Sequence, residues 1–184
     1  MMEIILASGS PRRRELLSQA GIDYIVKPAD IDENTKETLP SKVVEDLSKS
    51  KAIAVSKVNP GRVVLAADTV VAFDNRILGK PKDEEDAFEM LSALSGRTHQ
   101  VYTGVTIIDE AGNVNTFSEC TDVEMYENSP ELIRSYIASK EPMDKAGAYG
   151  IQGLGAILVK SISGDYNNVV GLPLAKVYRE LYNK

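Results

Sequence analysis

The sequence predicts an α/β protein built around a mixed sheet, and three stretches carry that prediction. A short apolar strand, Met2 to Ala7, runs straight into a helix signal at Ser10-Pro11. A longer run, Val63 to Phe73, is apolar on both faces, as strands inside a helix-covered sheet are. Two strand patterns, Thr98 to Asp109 and Val114 to Tyr126, flank Glu110-Ala111-Gly112-Asn113, which reads as a hairpin turn. Strands and helices alternate early and a long hairpin follows, so the class is α/β shading into α+β.

Each element has its local reason. Ser10 suits an N-cap and Pro11 the first helical position, which predicts a helix from Pro11 to Gln19, closed by Gly21. Asp23 to Ala29 reads as a second strand, followed by the acidic loop Asp30-Ile31-Asp32-Glu33-Asn34. Val43, Val44, Leu47 and Ala54 fall at helical spacing within a helix from Ser41 to Lys57, ended by Asn59-Pro60-Gly61. After the central strand, Asp74-Asn75 turns the chain back, and Ile77-Leu78 lead into Gly79-Lys80-Pro81. Asp83 caps a helix to about Leu94, stopped by Gly96. Ser129-Pro130 starts another that ends near Lys140. The glycine-rich stretch Asp144 to Gly153 reads as a shaped loop. Ala156 to Ile162 reads as a strand, Ser163 to Asn168 as a turn, and Leu172 to Asn183 as the closing helix.

The 184 residues are expected to form a single domain, 1–184, and an apolar fraction of 43% supplies a core. No run of about 18 apolar residues occurs, so no membrane span is expected. The chain opens on a strand rather than a secretory signal, and Cys120 is its single cysteine, which excludes an internal disulfide. A cytoplasmic location is the expectation. The net charge of −6 argues against a general nucleic-acid binder.

Several residues stand out chemically. Arg12, Arg13 and Arg14 sit in the first turn of a helix, whose N-terminus already carries about half a positive charge and prefers anions. Either this is a solvated basic turn, or the arginine forks and backbone N–H groups await a phosphate. Asp68 interrupts the apolar central strand, where an unpaired carboxylate carries a desolvation penalty. It reads either as a core Asp satisfied by backbone or Thr69, or as a metal ligand or general base. Glu33 reads as solvated surface unless its loop folds back over Asp68. In that case the two carboxylates suit Mg2+ shared with phosphates and waters. Lys51 is a solvent-facing helix residue or a phosphate contact; Lys80, between Gly79 and Pro81, is the better-placed phosphate contact. The lone His99 reads as structural and Cys120 as core or hairpin filler. Neither supports nucleophilic catalysis, and no P-loop string is present.

Taken together, the blocks Ser8-Gly9-Ser10-Pro11-Arg12-Arg13-Arg14-Glu15-Leu16-Leu17, Ala66-Ala67-Asp68-Thr69-Val70-Val71, Gly79-Lys80-Pro81, Ser95 to Val105, Asp144 to Gly153 and Gly164 to Pro173 resemble the Maf family of nucleoside triphosphate pyrophosphatases. The resemblance covers nearly the whole chain, with the blocks in order. It implies an elongated mixed-sheet fold with a central cleft, related to the inosine triphosphate pyrophosphatases (Maf/Ham1-type). It further implies hydrolysis of a nucleoside triphosphate to monophosphate and pyrophosphate, a divalent metal cofactor (Mg2+ or Mn2+) and a homodimer. In the family the Asp of Ala-Ala-Asp-Thr is the proposed proton acceptor, here Asp68. Thr69, Arg12 and Gln152 match the positions that mark specificity, and the set resembles the subfamily acting on dTTP and UTP rather than 7-methyl-GTP. The family's older name, septum formation inhibitor, implies a link to cell division.

The expected substrate site therefore comprises Ser8, Arg12, Arg13, Lys51, Thr69, Lys80 and Gln152, with Asp68 catalytic and Glu33 and Asp68 on the metal. Gln152 offers both a donor and an acceptor to a pyrimidine edge. Two other classes compete: a non-catalytic nucleotide-binding regulator of septum formation, and a nucleic-acid-binding module using the arginine cluster.

Overall fold

The computed structural model describes residues 3–182. Met2 and Asn183, at the outer ends of the first predicted strand and last predicted helix, lie outside the described residues. In chain order the elements are β1 (Ile4–Leu6), α1 (Pro11–Gln19), β2 (Tyr24–Val26), α2 (Pro40–Lys57), β3 (Val64–Phe73), β4 (Arg76–Leu78), α3 (Glu84–Leu94), β5 (Thr98–Ile108), β6 (Val114–Met125), α4 (Pro130–Ala138), β7 (Val159–Ser163), α5 (Tyr166–Val170) and α6 (Leu174–Tyr182). Short 3-10 turns at Glu141–Asp144, Ala146–Ala148 and Gly153–Leu158 join α4 to β7.

Among the described residues seven strands form one sheet in the order β2-β1-β3-β5-β6-β7, with β4 paired to β3. β1 runs parallel to both β2 and β3, with Ile5 opposite Ile25 and Val64. β4 and β7 pair antiparallel with β3 and β6. The sheet is thus mixed, as the sequence predicts. Asp74 and Asn75 both take positive φ (47° and 60°), the two-residue geometry that suits the twist of a tight hairpin.

Contacts divide the chain into two compact units. Of the described residues, the first comprises 3–69, 103–119 and 171–182; its core packs Ile5, Val64 and Ala66 of the sheet and Ala7, just past β1, against Ala52 and Val55 of α2. The second comprises 70–102 and 120–170, with a core of Val71, Leu91, Leu94, Val123, Ile133, Ile137 and Leu158. Fully burying a side chain of this size contributes about 1.5–3 kcal/mol, so each unit has the means to hold its own loops in place.

Two helix starts, those of α3 and α4, follow the expected capping logic. Asp83 accepts from the Asp86 N–H at 2.8 Å, with Glu84, Glu85 and Asp86 in the first turn of α3, and Ser129 accepts from the Leu132 N–H at 3.2 Å. Ser10 departs from expectation. It holds the N-cap position, but its side chain makes no cap; Ser8 Oγ instead accepts from the Ser10 N–H at 3.2 Å.

Three elements differ in extent or kind. β2 stops at Val26: the Lys27 N–H reaches Leu6 O at 3.0 Å, and Pro28 has no N–H to continue the ladder. Residues 156–158 wind as a 3-10 turn rather than a strand, because the preceding Leu154 and Gly155 N–H groups are taken by the Glu141 carboxylate. Residues 166–170 are a helix rather than a turn, started by Asp165, whose carboxylate accepts from the Asn167 N–H at 2.8 Å. Of the two readings of Cys120, core or hairpin filler, the core one is excluded: the residue is exposed on β6 of the hairpin.

Candidate active site

β3 is buried along its length except at two adjacent central residues, Asp68 and Thr69. A strand apolar on both faces has no polar partners of its own, so these two draw theirs from neighbouring elements. Asp68 Oδ1 accepts from Lys51 Nζ at 2.6 Å, and the same ammonium lies 2.8 Å from Glu33 Oε1. The Lys51 and Asp68 side chains are 12% and 13% exposed, whereas Glu33 is 62% exposed. Lys51 is therefore no solvent-facing residue. Val44, Leu47, Ser48, Ala52 and Val55 form the buried face of α2, and Lys51 lies on that stripe at helical spacing from Val44, Leu47 and Val55. The acidic loop does fold back, and Lys51 joins its Glu33 to Asp68.

Arg13 organises the other half of the cluster. Its Nη1 donates to Ser8 Oγ at 3.0 Å, its Nη2 to Thr69 Oγ1 at 3.1 Å and its Nε to Gly171 O at 2.8 Å. Among the described residues these bonds use three of the five guanidinium N–H groups. Thr69 Oγ1 is also 2.9 Å from Thr103 Oγ1, which is fully buried on β5. Ser8, in the turn between β1 and α1, is buried and accepts from both Arg13 and the Ser10 N–H, so one hydroxyl sets the entry of α1 and the direction of Arg13. Burial pushes the Arg13 guanidinium below its ordinary pKa; Asp68 opposes that, Arg12 reinforces it and Glu33 opposes it weakly. Arg12, half-buried in the first turn of α1, is the neighbouring positive charge.

The structure thus joins Ser8, Arg13 and Thr69 by hydrogen bonds and Lys51 and Asp68 by another, with Glu33 attached through Lys51; the charges of Asp68 and Arg12 act on Arg13. Thr103 and Gly171 complete the arginine's surroundings. Both stand in sequence blocks noted above, but nothing local marks a Thr within a strand or a carbonyl as an arginine partner.

Lys80 and Gln152 belong to the second unit and are exposed there on two loops. The Lys80 loop is pinned by the Gly147 N–H, which donates to Gly79 O at 3.0 Å. The Gln152 loop is closed by Glu141 and Tyr136: the Leu154 and Gly155 N–H groups donate to Glu141 at 2.9 and 3.0 Å, and the Gly150 N–H to Tyr136 Oη at 3.1 Å. His99 is structural, fully buried with Nε2 2.7 Å from Tyr149 Oη.

Glu33 and Asp68 offer hard carboxylate oxygens around a point where the structure already places a positive charge, the Lys51 ammonium. That donor chemistry fits Mg2+ or Mn2+. Among the described residues no group of three or more His, Cys, Asp or Glu is arranged to hold an ion by itself. An ion here would complete its shell with phosphate oxygens and water.

Chemically, a carboxylate beside an ammonium and two arginines can hold a polyanion and take a proton from a water next to it. Known proteins resemble this chain along nearly its whole length. A dTTP/UTP pyrophosphatase of Agathobacter rectalis is 55% identical over 198 aligned residues, covering 98% of this chain and 97% of its own. One of Bacillus cereus is 52% identical over 182, covering 98% and 95%. Among solved structures, the Staphylococcus aureus Ham1 protein superimposes with a TM-score of 0.52 at 17% identity, covering 85% of this chain and 79% of that one, a likeness of fold. The profile of the family described as Maf-like protein matches residues 3–184, taking in every residue of the cluster, and this chain belongs to that family.

Proposed function

We propose that this chain hydrolyses dTTP and UTP to the nucleoside monophosphate and pyrophosphate, in a reaction assisted by Mg2+ or Mn2+. The observation that carries the reading is the Glu33–Lys51–Asp68 cluster set beside the Arg13 fork. It offers cations for a triphosphate and a carboxylate for the attacking water.

In this mechanism Arg12, the N–H groups of Arg13 not held by Ser8, Thr69 and Gly171, Lys51 and the α1 N-terminus take up phosphate charge. Asp68 orients a water and accepts its proton as the water oxygen bonds to the α-phosphorus. The bond from the α-phosphorus to the bridging oxygen breaks, and its electron pair leaves with pyrophosphate. A divalent ion on Glu33 and Asp68 would neutralise phosphoryl oxygens. The chain's own contribution is positioning and charge stabilisation by groups already fixed in place. For Lys80 and Gln152, the support is the matching motifs: a phosphate contact for Lys80 and a base contact for Gln152. A homodimer, a cytoplasmic location and a link to cell division rest on the family resemblance. Among the described residues no helix is long and apolar enough to cross a membrane.

The test is a panel of canonical and modified nucleoside triphosphates, with and without Mg2+ or Mn2+, assayed for pyrophosphate. Release from dTTP and UTP in the presence of metal is expected. Nucleotide binding without pyrophosphate release would mark a regulator instead.

A further inference from the structure

Gln152 is exposed and stands at the entrance of a 3-10 turn, so the backbone on either side of it fixes the point from which its side chain projects. That backbone is tied down at three points, and all three lead to one carboxylate. Glu141 Oε1 accepts from the Gly155 N–H at 3.0 Å and from Tyr136 Oη at 3.0 Å, and Oε2 accepts from the Leu154 N–H at 2.9 Å. Tyr136 Oη in turn accepts from the Gly150 N–H at 3.1 Å. Residues 150, 154 and 155 thus bracket Gln152, and Glu141 holds them directly or through one hydroxyl.

The packing leaves the loop little choice. Gly153 adopts φ +65°, and a Cβ there would lie 2.7 Å from Glu141 Oε2. A Cβ on Gly155 would lie 2.3 Å from Gly150 O and 2.7 Å from Tyr136 Oη. The loop is wrapped onto the carboxylate with no room for a side chain between. Burial alone would raise the Glu141 pKa, but the Leu154, Gly155 and Tyr136 hydrogen bonds outweigh it and hold the group below its ordinary value, so it is ionised at neutral pH.

We propose that Glu141 is the positioning residue for base selection: by fixing the backbone around Gln152 it sets the preference for thymine and uracil over cytosine. This rests on the function proposed above and on Gln152 as the base contact. Glu141 touches no substrate and acts only through the loop.

The test uses the full chain and compares the parent with Glu141→Gln and Tyr136→Phe. A glutamine amide supplies one acceptor oxygen where three donors converge, and turns an N–H toward another N–H. Tyr136→Phe removes one hydroxyl at constant shape and serves if the first variant does not fold. Steady-state pyrophosphate release is measured on dTTP, UTP and dCTP, together with inhibition by inorganic tripolyphosphate, which has no base. Expected for Glu141→Gln is a tenfold or greater fall in the dTTP-to-dCTP ratio of kcat/KM. It comes through KM, with kcat on dTTP within threefold of the parent and tripolyphosphate inhibition unchanged. Tyr136→Phe shifts the ratio the same way by a smaller factor. In a Gln152→Ala background, Glu141→Gln shifts the ratio no further. An active parent whose ratio stays put in both variants, or a loss shared equally by every nucleotide and by tripolyphosphate, overturns the role of Glu141 alone. A parent that releases no pyrophosphate from any nucleotide overturns the proposed function and this role with it.

Discussion

Arg13 and Thr69 are joined by a 3.1 Å hydrogen bond from Nη2 to Oγ1, and that bond ties the start of α1 to the middle of β3. The same threonine oxygen lies 2.9 Å from Thr103 Oγ1, so the arginine is aimed by hydroxyls and not only by charge. Thr69→Val keeps the branched shape and removes the acceptor. A hydrogen bond to a charged group is worth about 1.5–3 kcal/mol, so a loss of roughly ten- to a hundredfold in kcat/KM on dTTP is expected, with Thr69→Ser close to the parent. Pyrophosphate-release kinetics check this; a valine variant as active as the parent would reduce Thr69 to a packing residue.

Asp68 and Lys51 separate chemistry from stability. Asp68→Asn keeps a side chain of the same size, and Glu33 remains 2.8 Å from the ammonium. The fold is expected to survive while turnover on dTTP falls by roughly 10²–10⁴, the usual worth of a positioned acid or base. Lys51→Ala instead leaves a carboxylate inside an apolar strand. Removing one partner of such a pair costs about 3–5 kcal/mol, which urea unfolding would register. An Asp68→Asn enzyme turning over near the parent rate removes Asp68 as the base.

The contrast between Asp68 and Lys51 shows what was readable in the chain. Asp68 announces itself because a charge inside an apolar strand needs a partner, and β3 formed as its composition required. Lys51 sits on the buried stripe of α2, yet a lysine in a helix reads as solvent-facing unless that stripe is followed through it. The α1 signal was right in place and wrong in detail: Pro11 starts the helix, but Ser8 rather than Ser10 supplies the hydroxyl. Thr103 and Gly171 had no local signature, because what they give Arg13 depends on strands and loops distant in sequence. The 3-10 turn at Gly153–Leu158 has no local signature for the same reason: the carboxylate that holds it is at position 141, well before the stretch it shapes.

Gly104 sets how closely α2 approaches the sheet. A Cβ at this position would lie 2.2 Å from Val44 O and 2.7 Å from Glu45 N, both backbone atoms of α2. Gly104→Ala must push the helix outward, and the helix carries Lys51. Overpacking of this kind costs about 1–3 kcal/mol, and turnover is expected to fall along with stability because the Lys51–Asp68 contact moves. Thermal unfolding and dTTP kinetics on the same sample test it. A variant with the parent's midpoint and rate would mean that the helix seats elsewhere.

His99 gives the protein an acid limit. The ring is fully buried, its Nε2 meets Tyr149 Oη at 2.7 Å, and its Nδ1 has no hydrogen-bond partner among the described residues. Burial pulls its pKa down to about 4, with Asp122 opposing. The folded state therefore keeps the ring neutral at pH values where the unfolded chain, near the ordinary 6.5, has already bound a proton. Stability is fully present above pH 6.5 and is lost as the pH falls toward 4, because the unfolded state binds the extra proton throughout that window. At about 1.4 kcal/mol per pH unit the loss amounts to roughly 3 kcal/mol. His99→Gln can still bond Tyr149 and does not titrate, so its stability should change less than the parent's between pH 7 and pH 4.5, whatever its value at pH 7. Chemical denaturation of both proteins at the two pH values decides it. Equal losses in parent and variant would assign the acid sensitivity to groups elsewhere and not to the buried imidazole.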